Sequence, residues 1–205
     1  MESKEKEMWK KSGEIASQIM AKAIQLAKPE TPLLEIAEKM EAEAEKLKVK
    51  WAFPVNLSIN EIAAHYTPSH EDKTKANGLL KIDLGISIDG YISDIARSVD
   101  LTPENKYKEL VKASEDALKE AVKTSKYNIE IRHIGKAIHD SITKKGFSRA
   151  YSKIESAVSG PIPFTCKSSF LIGSFFSRFN RGIRPRYRSN KNLINSLMRR
   201  ALTLK

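Results

Sequence analysis

The sequence predicts an α+β fold, an antiparallel sheet with flanking helices. Three observations predict it: a pair of alternating apolar runs around Asp89-Gly90, two helix-periodic stretches before that pair, and two more after it. In the first run, Leu80 to Ile88, Ile82, Leu84, Ile86 and Ile88 share one face while Lys81, Asp83, Gly85 and Ser87 share the other. The second runs from Tyr91 to Val99. Asp and Gly tolerate the positive φ angles of a type I′ turn, so the pair reads as a two-residue hairpin loop. That loop fixes the register, placing Ile88 opposite Tyr91, Gly85 opposite Asp94 and Asp83 opposite Ala96.

The first helix is expected over Lys4 to Lys28, with Ile15, Ile19, Ala23, Leu26 and Ala27 at helical spacing and Pro29 ending it. Thr31-Pro32 is expected to open the second through a capping hydroxyl, burying Leu33, Ile36, Ala37, Met40 and Ala44 and leaving Glu38, Glu41, Glu45 and Lys48 to solvent. Leu57–Ile62 reads as a short strand or turn entering the loop that carries His65. Beyond the hairpin, Thr102-Pro103-Glu104 is expected to start a third helix reaching about Lys126, and Ile131 to Lys145 a fourth, ended by Gly146.

Composition narrows the class. A single cysteine, Cys166, rules out a disulfide framework within the chain. The charged N-terminus lacks the apolar core of a secretory signal, and no stretch approaches the ~18 apolar residues of a membrane span, so a cytoplasmic location and no membrane partner are expected. The net charge of +11 is not spread evenly. Residues 151–205 hold 11 of the 36 basic residues and one of the 25 acids, Glu155, which leaves residues 1–150 nearly balanced.

Candidate chemistry sits on the hairpin. Asp83 and Asp94 fall on one face as diagonal neighbours, with Cβ atoms about 7 Å apart. Carboxylates so placed either line a solvated face or bite a cation, and the small opposed residues Gly85 and Ala96 leave room for one. His65, a lone histidine in a loop, reads as a surface residue, and any role for it rests on the Asn60-Glu61 context. Asp89 belongs to the turn. His133 and His139 do not share a helix face as a zinc pair at i, i+4 would.

The run Lys81-Ile82-Asp83-Leu84-Gly85, Ile88-Asp89-Gly90-Tyr91, Asp94-Ile95-Ala96 and Ser98 resembles the metal-binding hairpin of the methionine aminopeptidases. Upstream, Phe53-Pro54 through Asn60-Glu61-Ile62-Ala63-Ala64-His65-Tyr66-Thr67-Pro68 is similar to that family's substrate-side histidine segment. The resemblance is to the archaeal, type 2 branch and extends to about Phe147. It implies an incomplete pita-bread (creatinase/aminopeptidase-like) fold, of whose two pseudo-symmetric halves the first is recognisable. It implies Asp83 and Asp94 as the first two metal ligands and His65 as the catalytic, substrate-binding histidine. The cofactors implied are divalent metal ions, two per site in complete relatives (Co, Mn, Fe or Zn). The implied reaction is removal of N-terminal methionine from newly made polypeptides.

The chain departs from the family after Phe147. There the family supplies a third ligand from a Gly-His pair and two more from glutamates. Here the histidines are His65, His70, His133 and His139, and Glu155 is the sole acid beyond Asp140. Three of five ligands have no candidate in sequence order, so weak or absent metal, little or no peptidase activity and poor solubility are expected. Residues 1–147 are accordingly read as the N-terminal part of an aminopeptidase-like catalytic domain, and 148–205 as a basic, poorly ordered tail. The tail is open to three readings: the product of a shifted reading frame, a segment gripping RNA or the ribosome through basic and aromatic residues, or a divergent second half. Leu193, Leu197, Met198 and Leu202 would give it one short basic amphipathic helix.

Overall fold

The computed structural model describes residues 3–147. Seven elements follow in order: α1 (Ser3–Leu26), α2 (Leu33–Lys46), β1 (Lys50–Ile59), β2 (Leu79–Ile88), β3 (Tyr91–Asp100), α3 (Lys108–Thr124) and α4 (Ile131–Lys144). The strands form one antiparallel sheet in the order β1-β2-β3. This is the expected α+β arrangement of sheet and flanking helices. The expectations for 148–205 lie outside the described residues.

The hairpin has the register that its turn dictates: Ile88 pairs with Tyr91, Gly85 with Asp94 and Asp83 with Ala96. Asp89 and Gly90 both take positive φ, 50° and 86°, as a type I′ turn requires. One sheet face carries Ile82, Leu84 and Ile86, all fully buried, and α1 packs across it. Trp9 meets Tyr91 edge-on at 5.5 Å between ring centroids, and Ser12 Oγ donates to Ile86 O at 3.3 Å. Ser12 and Gly13 lie on the helix side that meets the strands, Gly13 opposite Ser93. α2 adds Leu33, Ile36, Ala37, Met40 and Ala44, the five residues expected, to the same core. Each large apolar side chain fully buried there contributes about 1.5–3 kcal/mol.

Three boundaries differ from expectation, each for a local reason. β1 starts at Lys50 and runs ten residues rather than beginning near Leu57. Its ladder with β2 shifts register on both sides of Phe53, next to Pro54, which has no N–H to donate. No side chain caps α2. Pro32 occupies the cap position, and Leu33 N–H donates instead to Thr74 O at 2.9 Å, a backbone partner from the long β1–β2 connection.

α3 starts at Lys108, not at Thr102. The Asp100 carboxylate accepts from Thr102 N, Thr102 Oγ1 and Tyr107 N, while Asn105 takes φ +54°, so the capping signal is spent on a turn. α3 and α4 pair through Ala117, Ala121, Ile138 and Ile142, with Ile134 and Phe147 packed alongside. Lys145 bonds Asp116 across that pair. Bonds from Lys145 and Lys112 hold the Asp116 carboxyl well below the usual carboxylate range. Gly146, at φ +78°, closes α4.

Candidate metal centre

The second face of the sheet is polar and also buried. Asp83 and Asp94 are 8% and 6% exposed, and Asn56, Ser58 and Lys81 are buried with them. Register builds this face row by row: Asn56–Asp83–Ala96, Phe53–Gly85–Asp94 and Ser58–Lys81–Ser98. Period-2 alternation on β2 therefore sets hydrocarbon toward α1 and carboxylates toward the other side.

The carboxyls of Asp83 and Asp94 lie close enough to share a hydrogen bond. Burial pushes the Asp94 carboxyl up to about 8, and the charge of Asp83 and the hydrogen bond with it add to the rise. Two neighbouring buried carboxyls resist losing both protons, and a divalent cation removes that conflict by neutralising both charges. Asp94 Oδ1 is buried without a hydrogen-bond partner among the described residues. A buried acceptor left in that state is what a hard cation with oxygen ligands fits. Among the described residues, no third His, Cys, Asp or Glu joins the pair.

The space beside Gly85 is not left open, as its small size suggested. A Cβ there would stand 2.3 Å from the Phe53 ring, so glycine admits an aromatic wall next to Asp94. The sequence marks Phe53 as the start of the family-like segment and gives it no role; a glycine inside an apolar strand, signalling close approach of another group, is the available clue.

His65 is exposed, in the loop after β1, with φ +62°. A left-handed non-glycine residue costs about 1–3 kcal/mol and persists only where its surroundings hold it. They do here. Tyr66 O accepts from Leu57 N at 2.7 Å and Thr67 Oγ1 donates to Val55 O at 2.9 Å, so the loop runs along β1 beside Asn56, the strand partner of Asp83. Further on, Tyr66 Oη bonds Asp72 and Thr74. The bond to Asp72 raises the tyrosine pKa, and those from Thr74 and Tyr66 lower the carboxylate's. Residues 74–76 then bond the α1–α2 turn.

Lys81 is the other residue the sequence did not mark as functional. Its Nζ donates to Asn60 O at 2.8 Å. Burial draws its pKa down to about 8, and the Glu61 carboxylate opposes that shift. Glu61, His70, His133 and His139 are exposed, and Asp89 sits in the turn, apart from the buried pair.

The chain belongs to metallopeptidase family M24, whose family profile matches residues 7–173. The match thus runs past Phe147 into the basic segment. Within that family its relatives carry the name methionine aminopeptidase. The one from Pyrococcus abyssi is 47% identical over 139 residues, covering 67% of this chain and 46% of that relative. The one from Methanothermus fervidus is 42% identical over 154 residues, covering 69% of this chain and 82% of that relative. This chain therefore spans just under half the length of the Pyrococcus relative. The crystal structure of a methionine aminopeptidase from Thermotoga maritima superposes with a TM-score of 0.65 at 22% identity, covering 73% of this chain and 64% of that one. The described residues thus make an incomplete pita-bread fold. No described helix is long and apolar enough to cross a membrane.

Proposed function

We propose that this chain carries the substrate side and two metal-binding carboxylates of an aminopeptidase site for polypeptides beginning with methionine. Asp83 and Asp94 would hold a divalent cation, weakly, because two carboxylates leave most of its coordination to water. The observation that carries this reading is the buried carboxyl pair, set diagonally on the hairpin with Asp94 Oδ1 lacking a partner. The chemistry such a cation supplies when bound is a lowered pKa for water and polarisation of the scissile carbonyl.

The chain's own residues do the rest. His65, fixed on its loop beside β1, donates to the first peptide unit of the substrate and steadies the charge that develops on its carbonyl oxygen. Phe53 gives an apolar wall, excluding water from one side of the carboxyl pair. The chain acts in the cytoplasm on nascent chains, with low turnover.

The test uses the full chain, Mn²⁺ and a Met-Ala-Ser peptide. The peptide should bind and perturb His65, while the same peptide with an acetylated amine should not. Methionine release should be slight. Robust, metal-dependent release would overturn the low-turnover part, and equal binding of the blocked peptide would overturn the substrate assignment.

A second reading draws on the uneven charge: residues 151–205 carry 11 basic residues against Glu155, interleaved with Phe and Tyr. That composition suits a module gripping RNA or the ribosome. Salt-sensitive RNA binding that vanishes on removing 148–205 would support it. Binding that is indifferent to the deletion would dismiss it.

A further inference from the structure

We propose that Lys81 is a positioning residue for His65, tying the loop that carries the histidine to the same strand face that carries Asp83. The inference rests on the reading of His65 as the substrate-side residue.

Asn60 is the junction where the chain leaves β1. Its N–H donates to Leu79 O at 3.0 Å, its Oδ1 accepts from Leu79 N at 3.0 Å, and its Nδ2 donates to Asn77 Oδ1 at 3.0 Å. The side chain fits so closely that a Cβ on Gly78 would lie 2.0 Å from Asn60 Oδ1, and Gly78 itself has φ +57°. Asn60 takes φ +46°, a left-handed conformation at the point where the chain leaves β1. Lys81 Nζ meets the Asn60 carbonyl at 2.8 Å, from 21 residues further along the chain. Every hydrogen-bonding group of Asn60 is therefore engaged, and Lys81 holds the last of them.

The loop then passes through a turn, with Ile62 N donating to Ile59 O at 3.0 Å, and reaches His65. The next residue, Tyr66, is moored to Leu57 N through its carbonyl. His65 is thus strung between two fixed points, and the Lys81 side chain, beside the two Asn60–Leu79 bonds, joins the first of them to the strand that bears Asp83.

Packing alone does not account for a lysine here. Lys81 is 6% exposed, and burying an ammonium carries a desolvation penalty that methionine or leucine would avoid. A long stem ending in a charged donor reaches a distant carbonyl and holds it with a stronger bond than a neutral donor gives. Lys81 and Asp83 are two residues apart on one face of β2, so one rigid strand sets both the cation ligand and the histidine.

The test is nuclear magnetic resonance of the metal-free full chain with labelled histidine rings, comparing wild type with Lys81→Met. The His65 ring signals should shift by more than a linewidth, and the Asn60 and Ile62 amides should exchange about tenfold faster. The rings of His70, His133 and His139 and the amides of Asp83 and Asp94 should stay in place. If Lys81→Met does not fold, Lys81→Gln, whose amide ends one atom short, carries the same readings. Unchanged His65 signals would overturn the proposal, and so would a displacement spread equally over the whole hairpin. Turnover is not read, so an inactive chain leaves this test intact. Failure of the peptide-binding experiment, with the His65 shift present, would fall on the substrate reading instead.

Discussion

Asp94 holds its proton to about pH 8 because burial penalises its charge and Asp83 stands beside it. Its ordinary value is 3.8, so the folded state binds this proton more tightly than the unfolded chain. The resulting stability is fully present below about pH 4 and is lost as pH rises through about 8. Without metal, the melting temperature should therefore fall between pH 5 and pH 9, and Asp94→Asn should flatten that slope in a calorimetric series. A cation must displace the same proton. Its affinity should rise by about tenfold per pH unit from pH 6 to pH 8, with proton release measurable in an unbuffered titration. Asp83, Asp94 and His65 were legible as candidates because motif and alternation marked them together. Lys81 and Phe53 were not. A lysine in an alternating strand reads as solvent-facing, and the carbonyl it meets comes from a distant segment whose path the sequence does not specify.

At the scale of elements, the hairpin was readable to the residue because a two-residue turn admits one register and a slip would turn every apolar side chain to the wrong face. β1 was not, because Pro54 and two register shifts break its alternation. The start of α3 was hidden by Asp100, which captures the backbone N–H groups of Thr102 and Tyr107 and folds the segment into a turn. The close fit of Phe53 on Gly85 gives the β1–β2 pairing a sharp dependence on one missing methyl group. Gly85→Ala should cost about 1–3 kcal/mol by forcing the ring aside, read as a lowered midpoint in urea unfolding with the slope unchanged. Phe53→Leu in the same background should recover part of that loss, since a smaller side chain gives the new methyl room.

For the molecule as described, the core lies between one sheet face and the helices α1 and α2, and α3–α4 form a second, smaller cluster. Leu84, fully buried at the centre of β2, ties the hairpin to that core. Leu84→Ala should cost about 2–5 kcal/mol in thermal or chemical unfolding, more than Gly85→Ala, because it opens a cavity under α1. The hairpin carrying the carboxyl pair, Asp83 on β2 and Asp94 on β3, is thus held by hydrocarbon on one face so that the other can hold acids close together. The most direct measurement of that arrangement is a Mn²⁺ titration at pH 8, comparing wild type with Asp83→Asn and Asp94→Asn. Wild type should bind weakly and saturably, and each variant should lose about tenfold or more in affinity. Equal binding by all three chains would contradict the assignment of the cation to this pair.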